Sequence, residues 1–151
     1  MKLKLMLTAL TLSTAFIHHV SYAAYPQFTW GPEFVSNEVE MDHEHQALFF
    51  TLSSLCDAFE KKNLEDTKRI FHGVVNWAVT HFASEEAHMQ EIGYAHLEVH
   101  KKAHQDLVEK IQEVTPSVEA GTADGEGLMN FLHDWLYHHI PNADIPAYGK
   151  S

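Results

Sequence analysis

Residues 81–104 of the chain read HFASEEAHMQEIGYAHLEVHKKAH and carry polar side chains where an amphipathic helix would carry apolar ones. His81 and Glu85 are four residues apart and fall in the apolar face of one helical segment. His100 and His104 are also four residues apart and begin the apolar face of the next segment. Residues at i and i+4 project from the same helix face one turn apart, so each pair can bind one metal centre.

Apolar residues recur at steps of three and four on both sides of this stretch, which is the period of amphipathic helices. Four segments have this period, and they are marked by Leu48 and Leu55, by Val74 and Ala78, by Leu107 and Ile111, and by Leu128 and Leu132. The segments are joined by short or moderate connections, which place sequential helices antiparallel. The sequence therefore predicts an all-α fold, an up-down-up-down four-helix bundle over residues 42–148.

Every predicted helix carries at least one histidine on its apolar face. His45 lies on the first helix, the two pairs lie on the second and third, and His139 lies on the fourth, with Asp144 five residues later. A lone histidine in such a position is more often a hydrogen-bonded core residue than a ligand. Each buried polar group left without a partner costs roughly 1–3 kcal/mol, and a small domain has only about 5–15 kcal/mol of net stability. The combined set therefore favours metal binding.

Five imidazoles and two carboxylates are too many ligands for one ion and suit two metals bridged by the carboxylates. Imidazole with carboxylate and without thiolate favours iron, while zinc, copper and manganese remain alternatives. Ferritin-like di-iron bundles are built around Glu-x-x-His and are rich in glutamate. The present set is rich in histidine, so it indicates a different kind of site.

The motifs and their order resemble the hemerythrin family in its bacterial form. The resemblance covers nearly the whole chain from Trp30 to Asp144. It is carried by Asp42-His43-Glu44-His45, His81-Phe82-Ala83-Ser84-Glu85, Gly93-Tyr94, His100-x-x-x-His104, Trp135-Leu136, His139-Ile140 and Asp144.

This resemblance implies a cofactor of two iron ions with an oxo or hydroxo bridge. One iron would be held by His100, His104 and His139. The other would be held by His45 and His81 and would keep an open position. Glu85 and Asp144 would bridge the two irons.

The resemblance also implies an apolar pocket for dioxygen, formed by Phe82, Trp135, Leu136 and Ile140. Ordinary core packing is an alternative role for these four side chains, and the two roles are compatible. The function implied is reversible dioxygen binding for storage, delivery or scavenging, which is not an enzymatic activity. Reduction of peroxide or nitric oxide at the same centre and metal sequestration are alternatives, and an electron donor or a sensor partner remains open. The oligomeric state is not predicted.

Pro141 lies between two predicted ligands, and we expect it to end or distort the fourth helix. Asp144 must then come from a distorted turn. His138 is adjacent to His139, but only His139 continues the apolar stripe. Glu86 is one residue away from the ligand face, so we expect it to be solvated or to lie behind the ligands. The remaining histidines are expected at the surface or behind the ligands: His43, His72, His88, His96 and His133.

The first residues, 1–23, have the pattern of a secretory signal peptide. Lys2 and Lys4 precede an apolar run from Leu5 to Ile17, and Ser21-Tyr22-Ala23 offers small residues for cleavage. An uncleaved membrane anchor is the alternative, but the run of about 13 residues is shorter than the ~20 that span a bilayer. We therefore expect an exported, periplasmic or secreted protein that is not bound to the membrane after cleavage.

Residues 24–41 have no helical period and are predicted to form an extended arm whose Trp30 packs on the bundle. After cleavage the chain would carry 8 basic residues, 10 minus the two lysines, against 21 acidic ones. A net charge of about −13 repels phosphate backbones, so nucleic acid is not an expected partner.

Cys56 is the only cysteine and excludes an internal disulfide. It falls in the apolar register, so a buried thiol is expected, with a disulfide-linked dimer as the alternative.

Overall fold

The computed structural model describes residues 25–148. The predicted signal peptide lies outside the described residues and stays a prediction. Within residues 25–148 every regular element is helical and no strand is present, which confirms the all-α class. Among those residues there is no helix with both the length and the apolar character that a membrane span requires.

Four long helices form the bundle. They are α1 (Val39–Glu60), α2 (Leu64–Glu91), α3 (Leu97–Ala120) and α4 (Gly125–His139). A 3₁₀ turn, Pro32–Phe34, precedes them, and a π turn, Ile140–Asp144, joins α4 to the short helix α5 (Ile145–Tyr148). α1 packs mainly against α2, α2 against α3, and α4 against α1. The predicted up-down-up-down four-helix bundle is confirmed.

The connections end and restart the helices within three to five residues. Asn63 and Asp124 precede α2 and α4, and their side chains accept hydrogen bonds from the N–H groups of Asp66 and Gly127. Such caps typically contribute about 1 kcal/mol each. Gly121 ends α3 with a φ of 70°, a left-handed conformation that costs glycine little. These short connections leave each helix antiparallel to the one before it.

The described part of the predicted arm is less extended than expected. It contains the 3₁₀ turn, and α1 begins at Val39, within the last residues assigned to the arm. Ser36 is buried, and its backbone N–H and its hydroxyl donate to Asp42 Oδ1 at 2.8 and 2.7 Å. Because Asp42 lies near the N-terminus of α1, its negative charge also favours an early helix start.

Apolar side chains fill the bundle at the end remote from the histidines. The largest fully buried ones include Leu52, Leu55, Phe71, Met129 and Val118. The histidines lie at the opposite end, where α1 and α3 begin and α2 and α4 end. The arm crosses α4, where the Tyr137 hydroxyl accepts from Thr29 N–H at 2.9 Å. The core therefore holds the four helix ends that carry the polar cluster.

Candidate metal centre

All seven predicted ligands lie together at one end of the bundle, and each is at most 6% exposed. Their nitrogen and oxygen atoms form two groups in which every atom lies within 4.8 Å of the others. The first group contains Glu85, His100, His104, His139 and Asp144, and the second contains His45, His81 and Glu85. The histidines are therefore divided three and two, as the resemblance implied.

The two carboxylates lie between the groups. Glu85 Oε2 is 3.2 Å from His100 Nε2 and 3.8 Å from His81 Nε2. Asp144 Oδ1 is 3.0 Å from His139 Nε2, and its Oδ2 is 3.4 Å from His45 Nε2. Each carboxylate therefore reaches imidazoles of both groups, which is the placement that a bridging ligand needs.

Several buried atoms of the cluster make no hydrogen bond within the described residues. They are both ring nitrogens of His45, His100 Nδ1, Glu85 Oε1 and Asp144 Oδ1. Asp144 Oδ1 has imidazole nitrogens nearby, but not in hydrogen-bonding geometry. Since buried polar atoms are normally paired, these atoms need compensation. Two metal ions with nitrogen and oxygen ligands would provide it, so the residues present fit a di-iron centre.

The pKa values of the two carboxylates reflect this cluster. Burial would raise the pKa of Asp144, but the adjacent imidazoles of His139 and His45 lower it well below its usual range. Burial would likewise raise the pKa of Glu85, but the hydrogen bond with His100 and the adjacent imidazole of His104 lower it. Both carboxylates are therefore ionised near neutral pH, the form that binds a metal.

The pKa values of two histidines shift in opposite directions. Burial lowers the pKa of His81, and the charge of Glu85 only partly opposes this shift. Burial would also lower the pKa of His100, but the hydrogen bond to Glu85 and the charge of Glu85 raise it overall. The neutral imidazole is the form that binds a metal, so His81 is already favoured in that form.

A π turn brings Asp144 to the centre. Ile145 N–H bonds to Ile140 C=O, five residues back, and Pro141 has no N–H to make the bond of an ordinary α turn. In a continuous α-helix, Asp144 would lie about 140° around the axis from His139, at about 100° per residue. The wider turn restores both residues to one face. The expected distortion at Pro141 is confirmed.

Aromatic rings lie flat on three of the ligands. Phe82 stacks on His104 with centroids 3.7 Å apart, Trp77 on His81 at 4.2 Å, and Trp135 on His139 at 4.1 Å. A small apolar cavity of about 20 Å³ lies beside them, and its lining includes three of the predicted pocket residues, Phe82, Trp135 and Leu136. The fourth, Ile140, is fully buried but does not line this cavity.

Other polar residues lie close to their expected positions. His43, His72, His88, His96 and His138 are exposed and His133 is partly buried, and none belongs to either ligand group. Of the adjacent pair His138 and His139, only His139 is buried.

Trp30 packs on the bundle beside a predicted ligand, and its ring centroid lies 6.4 Å from that of His45. Cys56 is buried as a free thiol, and burial raises its pKa to about 11.

The sequence did not reveal two contacts of the ligands. Glu44 accepts from His81, and Trp77 stacks on the same ring. Trp77 precedes His81 by four residues, so its position in the stripe could have indicated this contact. Glu44 lies on a different helix, and no spacing in the chain relates it to His81. Glu86, expected to be solvated or behind the ligands, lies behind them and bonds to His104.

Known proteins are similar to this chain in sequence and in fold. Residues 37–144 match the family model described as "Hemerythrin HHE cation binding domain". The chain is 32% identical over 118 residues to a bacteriohemerythrin of Methylococcus capsulatus, covering 77% of this chain and 90% of the relative. It is 28% identical over 123 residues to hemerythrin subunit alpha of Lingula anatina, covering 82% and 94%. The crystal structure of a wild-type hemerythrin superposes with a TM-score of 0.74 at 31% identity, covering 81% of this chain and 98% of that one. The chain therefore belongs to the hemerythrin family of di-iron, dioxygen-binding proteins.

Proposed function

We propose that this protein binds dioxygen reversibly for storage, delivery or scavenging, at two irons held by the seven buried ligands. The unequal division of the histidines carries the proposal. Three imidazoles serve one metal position and two serve the other, while both carboxylates reach both positions. The position next to His45 and His81 therefore has one protein ligand fewer. A metal held there would have fewer protein ligands and would be the one open to dioxygen.

The chain's own residues provide the apolar surroundings that a dioxygen carrier needs. A bound di-iron pair supplies the electrons that dioxygen binding requires, and the protein supplies the environment. Phe82 and Leu136 are buried against the ligands, and the adjacent cavity is almost entirely apolar. An apolar lining excludes water and stray protons, which would promote irreversible oxidation of the centre. Reversible binding depends on this exclusion.

An optical experiment tests the proposal. The protein is loaded with ferrous iron without oxygen, exposed to air and then degassed, while its visible spectrum and iron content are measured. A band that appears with oxygen and disappears on degassing, with about two irons per chain, is the expected result. Irreversible oxidation, or turnover of peroxide or nitric oxide with a reductant, would instead identify a redox enzyme. Tight metal binding without any response to oxygen would identify metal sequestration.

We propose further that the protein is exported. The basic start at Lys2 and Lys4, the apolar run and Ser21-Tyr22-Ala23 support cleavage after Ala23. Expression of the full chain in a bacterium with a periplasm tests this. The expected result is a periplasmic protein whose intact mass and N-terminal sequence begin at Ala24. A cytoplasmic protein that retains residues 1–23 would contradict the proposal.

A further inference from the structure

Two carboxylates outside the ligand groups contact the rear of ligand imidazoles. Glu44 Oε2 lies 2.7 Å from His81 Nδ1, and Glu86 Oε1 lies 2.9 Å from His104 Nδ1. Neither glutamate belongs to either metal-binding group. Their position behind the ligands raises the question of what they contribute to the centre.

The contacts select one tautomer of each imidazole. A carboxylate can only accept a hydrogen bond, so Nδ1 of each ring must carry the proton. In a neutral imidazole the other nitrogen, Nε2, then has a free lone pair. Nε2 is also the atom that faces the centre, 3.8 Å from Glu85 Oε2 in His81 and 3.3 Å in His104. The tautomer that the glutamates favour is therefore the one that can bind a metal.

The two contacts join different pairs of helices. Glu44 lies on α1 next to His45 and bonds to a ring on α2, while Glu86 lies on α2 next to Glu85 and bonds to a ring on α3. Each glutamate is therefore the sequence neighbour of one predicted ligand and bonds to a second predicted ligand on the next helix. One such contact serves the two-histidine position, and the other serves the three-histidine position.

Stacking on the same two rings limits their rotation. Trp77 lies on His81 with an angle of 21° between the ring planes, and Phe82 lies on His104 with an angle of 9°. A ring held flat by an aromatic neighbour can still flip by 180°, which exchanges Nδ1 with Cδ2 and Nε2 with Cε1 and moves both nitrogens away from their partners. The hydrogen bond to a carboxylate opposes that flip. By contrast, Nδ1 of His45 and of His100 has no hydrogen-bond partner among the described residues.

We propose that Glu44 and Glu86 are positioning residues, one for each metal position, which hold His81 and His104 with Nε2 directed at the metal. The inference rests on the proposed ligand assignment. Outer hydrogen bonds of this kind typically change metal affinity by about 10–100-fold when they are removed. Because each glutamate contacts a different ring, removing one should affect one metal position and leave the other intact.

The first test uses the metal-free protein and does not depend on oxygen binding. Long-range ¹H–¹⁵N spectra of the imidazole rings report which nitrogen carries the proton. We expect Nδ1–H for His81 and His104 in the wild type. Glu44→Ala should change only His81, Glu86→Ala should change only His104, and the glutamine variants should keep Nδ1–H because an amide oxygen also accepts. An Nε2–H tautomer in the wild type, or rings unaffected by the alanine variants, would overturn the proposal.

The second test measures metal binding with cobalt(II) as the probe. Glu44→Ala and Glu86→Ala should each weaken one of two binding steps by about 10–100-fold, and glutamine should recover most of the loss. Glu40→Ala on α1 and Glu91→Ala on α2 are matched controls, because both residues are exposed and lie outside the metal-binding groups. Both controls should bind two ions as the wild type does. Wild-type affinity at both steps in the alanine variants would refute the positioning role, even if the protein binds dioxygen.

Discussion

At the scale of single residues, Glu85 is the buried carboxylate that most needs charged or metal partners. Its side chain is fully buried, and its Oε2 lies within 3.8 Å of imidazoles from three different histidines, His81, His100 and His104. A buried charge of this kind is tolerated only when it is paired or bound to a metal. Its neighbour Glu86 has a different role only because helix geometry turns it about 100° away.

Glu85→Ala should abolish binding of two metal ions, because both positions lose a shared carboxylate. The measurement is iron content per chain after anaerobic loading, together with the visible spectrum. His88→Ala is the control, since His88 is exposed, stacks on Tyr148 and belongs to neither ligand group. A Glu85→Ala protein with two irons and normal oxygen binding would remove Glu85 from the site.

Cys56 should react slowly with thiol reagents. Its side chain is 8% exposed, and its raised pKa of about 11 leaves little thiolate near neutral pH. A thiolate is the reactive form, and a pKa of 11 instead of 9 lowers its fraction about a hundredfold. Labelling kinetics at pH 8 should be slow in the folded protein and fast in denaturant. Rapid labelling of the folded protein, or a disulfide-linked dimer on a non-reducing gel, would contradict this prediction.

At the scale of elements, the centre depends on where each helix begins or ends. α1 and α3 contribute predicted ligands within about two turns of their first residues, and α2 and α4 within about three turns of their last. The π turn is the least regular of these elements, and it determines where Asp144 lies. A proline without an N–H is compatible with either a helix end or a wider turn. Burial of Ile140 and the contacts of Asp144 stabilise the wider turn.

Insertion of one alanine between Asn142 and Ala143 should displace Asp144 by about 100° around the helix axis. The centre would then lose one bridging carboxylate, and iron content should fall below two per chain. The matched control is one alanine inserted after Thr122, in the exposed connection between α3 and α4, where added length costs little. If both insertions left two irons bound, the π turn would not be what places the ligand.

At the scale of the whole molecule, the metal-free cluster couples stability to pH. Asp144 and Glu85 have lowered pKa values in the folded state. The folded protein therefore binds fewer protons than the unfolded chain when the pH falls through the ordinary carboxyl range of about 4. The stabilisation is present above that range and is lost as the pH falls towards the folded-state values. His81, with a lowered pKa, adds to the loss below about 6.5, while His100, with a raised pKa, acts in the opposite direction.

The free energy of unfolding of the metal-free protein should therefore decrease between about pH 4 and pH 3. Denaturant titrations at a series of pH values measure this dependence. Asp144→Asn removes one of the responsible groups, so its stability should vary less steeply over that range. An unchanged slope in the variant would show that Asp144 does not contribute to the pH dependence.

The proposed export and the origin of the predicted ligands concern the whole molecule. The apolar run that predicts a signal peptide lies outside the described residues, so the intact mass and the N-terminal sequence of the expressed protein test that prediction. All seven predicted ligands come from one chain, so the proposed ligand set is complete without a partner chain.

The sequence by itself predicted the helical class and six of the seven candidate ligands, because these follow from local periodicity, whereas Asp144 was expected from its place after His139 and from the family resemblance. Side chains that recur at 3.6 residues must share one face of a helix, and a histidine in that face must be buried. Only the tertiary structure decided the contacts between helices, which are the approach of Glu44 to His81 and that of Glu86 to His104, and whether the chain ends its helix or widens into a π turn at Pro141. These depend on how helices distant in sequence are aligned, and no spacing along one chain segment encodes that alignment.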